Sequence, residues 1–158
     1  MIEPHTFELP GATWRIVFSI DVLRALDSHR QLGKRDREAV GQLFSPDLTR
    51  DEIVIDGATV LPPVNATCYG VVFSPEAARR ERERYFAQGR HCVGIWHSHP
   101  EHAPSPSGID LHLAADHARA ARANLTGLVF VIVGKASFPD GLFVGVHDGE
   151  QLHRARLI

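Results

Sequence analysis

The chain has 158 residues, enough for one globular domain that buries roughly two-thirds of its unfolded surface. Its 44% hydrophobic and 23% charged residues are those of an ordinary folded protein, and a formal charge of -2 gives no net field to gather nucleic acid or anionic membrane. No run approaches ~18 uninterrupted apolar residues, and Met1–His5 lacks the basic start of a signal peptide, so a single cytoplasmic domain over residues 1–158 is expected, with no nucleic-acid or membrane partner.

Trp14–Phe18 reads as a short strand. Ser19 then caps a helix over roughly Ile20–Gln31, with Val22, Leu23 and Leu26 inward and Gly33 ending it. Strands follow over Glu38–Phe44, over Glu52–Leu61 (stopped by Pro62-Pro63) and over Ala66–Phe73. Ser74-Pro75 opens a second helix that runs to about Gln88, with Gly89 ending it. Within it, Arg79-Arg80-Glu81-Arg82-Glu83-Arg84 interleaves its charges. Pairing at i,i+3 and i,i+4 on a solvated face explains that run better than nucleic-acid contact, and Tyr85 and Phe86 read as packing residues.

His91–Trp96 is an apolar strand that runs into His97-Ser98-His99-Pro100. A Pro-rich loop, Glu101–Pro106, leads to a third helix that begins near Ser107 and carries Ile109 and Leu113. Leu128–Val133 is a β-branched run fit for a central strand, and Leu142–His147 and Leu152–Leu157 finish the chain as strands. Cys68 and Cys92 read as reduced core thiols. Strands interleaved with three helices, without repeats or linkers, make an α/β sandwich on a mixed sheet, and the irregular strand steps argue against a doubly wound fold.

The chemistry concentrates around His97-Ser98-His99-Pro100, six loop residues, and Ser107-Gly108-Ile109-Asp110. Residues at i and i+2 of a strand share a face, so both imidazoles can converge on one cation. Zinc favours neutral imidazole nitrogen and carboxylate oxygen, and Asp110, in the first turn of the following helix, is placed to supply a third ligand. Ser107-x-x-Asp110 is equally a helix capping box. Ser98 is expected to face away from the metal and support the strand end, and His102 and His112 to lie exposed outside the site.

Joined in this order, these pieces resemble the motif of the JAMM/MPN metallopeptidase family, and the element order is similar to its cytidine-deaminase-like sandwich over essentially the whole chain. The resemblance implies one Zn²⁺ held by His97, His99 and Asp110, with Ser107 stabilising the oxyanion. It also implies an upstream glutamate that activates water, and Glu38-Ala39-Val40-Gly41-Gln42-Leu43 matches the family's Glu-x-x-Gly-x-Leu form, with Val40 where a glycine is commoner. Glu52 and Glu101 are its competitors.

The activity implied is cleavage after the C-terminal glycine of a ubiquitin-like protein or its conjugate. The short, bare domain resembles stand-alone prokaryotic members most, which occur beside E1-like and E2-like enzymes, including antiphage systems. A region like Asn65–Arg90 helps related enzymes hold the substrate's extended tail. The alternatives are a hydrolase that frees cysteine from a sulfur-carrier protein, and a non-catalytic MPN scaffold. A DNA-repair role is weaker, since no basic patch is present.

Overall fold

The computed structural model describes residues 3–64 and 72–158. The elements in chain order are β1 (His5–Glu8), β2 (Arg15–Phe18), α1 (Ile20–Asp27), β3 (Val40–Ser45), β4 (Glu52–Ile55), β5 (Gly57–Ala58), β6 (Pro63–Val64), β7 (Val72–Phe73), α2 (Pro75–Phe86), β8 (His91–Ser98), α3 (Gly108–Ala120), β9 (Leu128–Val133), β10 (Leu142–His147), β11 (Leu152–Arg154) and β12 (Arg156–Leu157). Cys68 and most of the expected Ala66–Phe73 strand lie outside the described residues. Among the described residues, no helix is long and apolar enough to cross a membrane.

Two mixed sheets result. One has the order β12-β1-β2-β4 and the other β11-β10-β9-β8-β3-β5, while β6 and β7 pair antiparallel as a separate two-stranded sheet. β8 and β9 are parallel, and β3 runs antiparallel to β8 with Val40 opposite His97. The run Leu128–Val133 is buried on both faces. Val129, Val131 and Val133 join the core shared with α1 and the smaller sheet. Leu128, Phe130 and Ile132 join the core under α2 and α3, which holds Ala78, Ala114 and Ala118. A continuous apolar run is what a strand covered on both faces requires.

The expected strands Glu52–Leu61 and Leu152–Leu157 each divide between the two sheets. Asp56 alone separates β4, at the edge of the smaller sheet, from β5, at the edge of the larger. Ala155 alone separates β11 from β12 at the opposite edges. Each corner residue still donates its own N–H into the larger sheet, Asp56 to Phe44 O at 3.2 Å and Ala155 to Val144 O at 2.9 Å. The first helix stops at Asp27, short of Gln31, with Ser28 Oγ donating to Ala25 O and the His29 ring tilted against Trp96, centroids 5.2 Å apart.

α2 ends at Phe86, and the Arg/Glu run is only partly a solvated face. Arg79–Glu83 and Arg80–Glu76 pair at 3.0 and 2.8 Å, as i,i+4 spacing predicts. Glu81, however, turns inward and accepts from Thr59 and from Gln42 Nε2, and Arg82 donates to Gln42 Oε1. Tyr85 stacks on Phe44, whereas Phe86 is 68% exposed and packs only its edge, against His91. Cys92 is a free thiol whose pKa burial pushes up to about 11, consistent with an unreactive core residue.

Gly41 shows why a glycine belongs three residues after Glu38. The segment after β5 continues along β3, and Trp96 Nε1 donates to Thr59 O at 2.8 Å directly over Gly41. A Cβ there would lie 1.6 Å from Thr59 O and 2.6 Å from Trp96 Nε1. Gly41→Ala should therefore destabilise the protein by about 3 kcal/mol, the upper end of the usual overpacking cost. Thermal denaturation should show Tm lower by roughly 6–12 °C.

Candidate metal centre

β8 delivers the two histidines. His97 lies on the same face as Ile95, toward α3, and its ring is 5.3 Å from Phe130. His99 follows just past the strand, still tied to the sheet by its N–H to Val133 O at 2.8 Å. The two imidazole centroids are 4.9 Å apart. α3 brings the carboxylate from the opposite side: Asp110 Oδ1 is 3.2 Å from His97 Nε2 and Oδ2 is 3.2 Å from His99 Nε2.

Asp110 is held by its own helix. Ser107 Oγ accepts the Asp110 N–H at 3.1 Å, and the Ser107 N–H donates to Asp110 Oδ2 at 2.8 Å. The capping box is therefore fully formed, and the carboxylate it orients is the one that faces the two imidazoles. With its oxygen used as an acceptor, the exposed Ser107 hydroxyl retains its proton to donate.

The residues fit a divalent cation. One ligand atom each from His97, His99 and Asp110 lies within 4.8 Å of the others. Each imidazole Nε2 lies 3.2 Å from an Asp110 oxygen, His97 from Oδ1 and His99 from Oδ2, a spacing of the order of the ~3.3 Å between ligand atoms that share one zinc ion. His97 Nε2 is buried and lacks a hydrogen-bond partner, because Asp110 Oδ1 lies close without alignment. An unpaired buried nitrogen is costly, and a bound cation satisfies it.

Glu38 stands beside this cluster and outside it. Ser98, fully buried, accepts the Ala39 N–H on its Oγ at 2.8 Å and donates its own N–H to Ala39 O at 2.9 Å. Continuing the Val40–His97 register two residues further places Glu38 across from His99. Glu38 is buried, only 5% exposed, and burial pushes its pKa up to about 7 despite the opposing charge of His99. Glu52 begins β4 in the other sheet and is exposed. His102 and His112 are exposed, as expected.

Burial would push the Asp110 pKa up, yet the two imidazoles and the Ser107 N–H hold it well below the carboxylate range. The His99 pKa rises to about 9, chiefly through its hydrogen bond to Asp110. Glu101 contributes too: its Oε1 is 2.7 Å from His99 Nδ1. Sequence reasoning had weighed Glu101 only as a rival to Glu38. Glu101 lies past the end of β8, where strand alternation no longer applies, so the sequence carried no signal for this contact.

The signs fix a pH dependence for the metal-free protein. Glu38, raised from 4.5, adds a growing penalty as pH climbs toward about 7 and it ionises inside the fold. The stabilisation from protonated His99 is whole below 6.5 and is lost as pH rises through about 9. Burial lowers the pKa of His29, His117 and His147, which acts in the opposite direction in wild type and variant alike, so the Glu38 contribution is read by difference. In chelator-treated protein the Tm advantage of Glu38→Gln over wild type should grow as pH rises from about 5 to about 7, and a constant difference would contradict the assignment.

Residues 21–144 match the family model of prokaryotic homologs of the JAB domain. A search of curated protein sequences finds no match. The fold is similar to the solution structure of protein DSY2949 from Desulfitobacterium hafniense, with a TM-score of 0.61 and 18% identity over 87% of each chain. At that identity the likeness speaks for the fold alone. The family match covers well over half of the chain and includes Glu38, His97, His99, Ser107 and Asp110. The chain belongs to the prokaryotic branch of the JAB/MPN domain family.

Proposed function

We propose that the protein is a zinc-dependent peptidase or isopeptidase that cuts after the C-terminal glycine of a ubiquitin-like protein, in deconjugation or precursor maturation. The observation that carries the reading is the convergence of His97, His99 and Asp110 on one point, with the buried carboxyl of Glu38, its pKa raised by burial, beside them. A carboxyl titrating near the working pH can both take and return a proton. The kind of substrate, and a setting among E1-like and E2-like enzymes in a bacterial conjugation or antiphage system, are supported by the resemblance of the motif.

His97, His99 and Asp110 would hold the ion, which when bound acidifies water and polarises a carbonyl. Glu38 takes the proton of the attacking water on its carboxylate and returns it to the departing amine. The Ser107 hydroxyl donates to the carbonyl oxygen as that oxygen gains charge. Ser98 keeps Glu38 in reach by clamping Ala39 through both its side chain and its backbone.

Zinc content and cleavage of a panel of ubiquitin-like C-terminal fusions test this in wild type and variants. Glu38→Gln should keep zinc and lose cleavage, and His99→Ala should lose both. Ser107→Ala should keep zinc and cleave on the order of 100-fold more slowly. Its missing cap should also cost about 1 kcal/mol of stability. Free cysteine as the product would reassign the substrate to a sulfur carrier, and a wild type without zinc would leave a scaffold.

A further inference from the structure

We propose that Glu101 is a positioning residue for the metal centre, its carboxylate accepting the Nδ1–H of His99 and holding the ring with Nε2 turned to the ion. The inference rests on the metal-centre reading above and adds to it a residue from the Pro-rich loop.

Three observations support it. Glu101 Oε1 is 2.7 Å from His99 Nδ1, while Nε2 of the same ring faces Asp110. A ring bonded at Nδ1 to a carboxylate presents its other nitrogen in one orientation, the arrangement that raises a ligand's basicity in metal sites. The loop that carries Glu101 is also fastened in place. Lys135 N–H donates to Glu101 O at 2.7 Å and Ala136 N–H to His102 O at 3.0 Å, and Pro104 is buried.

The third observation is Gly134, at the foot of the loop. A Cβ there would fall 2.5 Å from Pro104 Cδ, 2.7 Å from Glu101 O and 2.9 Å from His102 O. The loop therefore lies directly on the backbone that follows β9. His99 is hung from Val133 and Glu101 from Lys135, so one short stretch of chain sets both ends of the hydrogen bond.

The test is zinc affinity, measured by competition with a chelator at fixed pH, together with the solvent exchange rate of the His99 Nδ1 proton in the zinc-loaded protein by NMR. Outer-shell partners of ligating histidines are worth about 10–100-fold in affinity. The Glu101 side chain is about half exposed, so Glu101→Ala should weaken zinc binding about tenfold and speed exchange of that proton. Glu101→Gln, which can still accept the bond, should recover most of the affinity.

Glu101→Ala within twofold of wild type in zinc affinity, with an unchanged proton exchange rate, overturns the inference and leaves the metal centre standing. Glu101→Gln as weak as Glu101→Ala overturns it as well, since charge alone would then be what the ion feels. A wild type that binds no zinc overturns the metal centre and this role with it.

Discussion

A carboxylate removed from water has to be given hydrogen-bonding or positive neighbours, and the buried Asp110 is given them by the Ser107 amide and by His99. His97 and His99 approach from the end of β8, and the Ser107 amide approaches from within the Asp110 helix itself. The rest of the centre is arranged around that requirement. α3 must begin where it does for the capping box to close, and β8 must run to Ser98 for the imidazoles to arrive on the α3 side.

The same economy governs Glu38. Its position follows from the pairing of β3 with β8, and Ser98 supplies the last rung of that ladder with its side chain as well as its backbone. Gly41 lets the neighbouring segment and the Trp96 indole close down on β3 just beyond it. Glu38 and the histidines thus sit at the facing ends of adjacent strands of one buried sheet, where packing leaves little room for either to drift.

What could be read from the sequence was local. Ser19, Ser74 and Ser107 announce their helices because a cap is a contact over three residues, and Leu128–Val133 announces itself because both faces of its strand are covered. The paired histidines and Asp110 were legible for the same reason, being close in sequence. β1 was missed, a short edge-side strand of mixed character. The division of Glu52–Leu61 and Leu152–Leu157 was invisible because alternation shows that a run is extended and says nothing about which sheet receives each half. Glu101 was misjudged because what fixes its loop, Gly134, lies more than thirty residues away.

The corners at Asp56 and Ala155 have a consequence for the way the molecule opens. Each sheet hands an edge strand directly to the other, on both flanks, through a single residue that is itself bonded into the larger sheet. A slip of one residue in either sheet would turn inward-facing side chains outward, and the short corners would force the same slip on the other. The two sheets are therefore coupled at both flanks, a construction that favours their opening as one cooperative unit over the peeling of either flank. The edges through which β proteins most readily find the wrong partner are partly shielded by the same device.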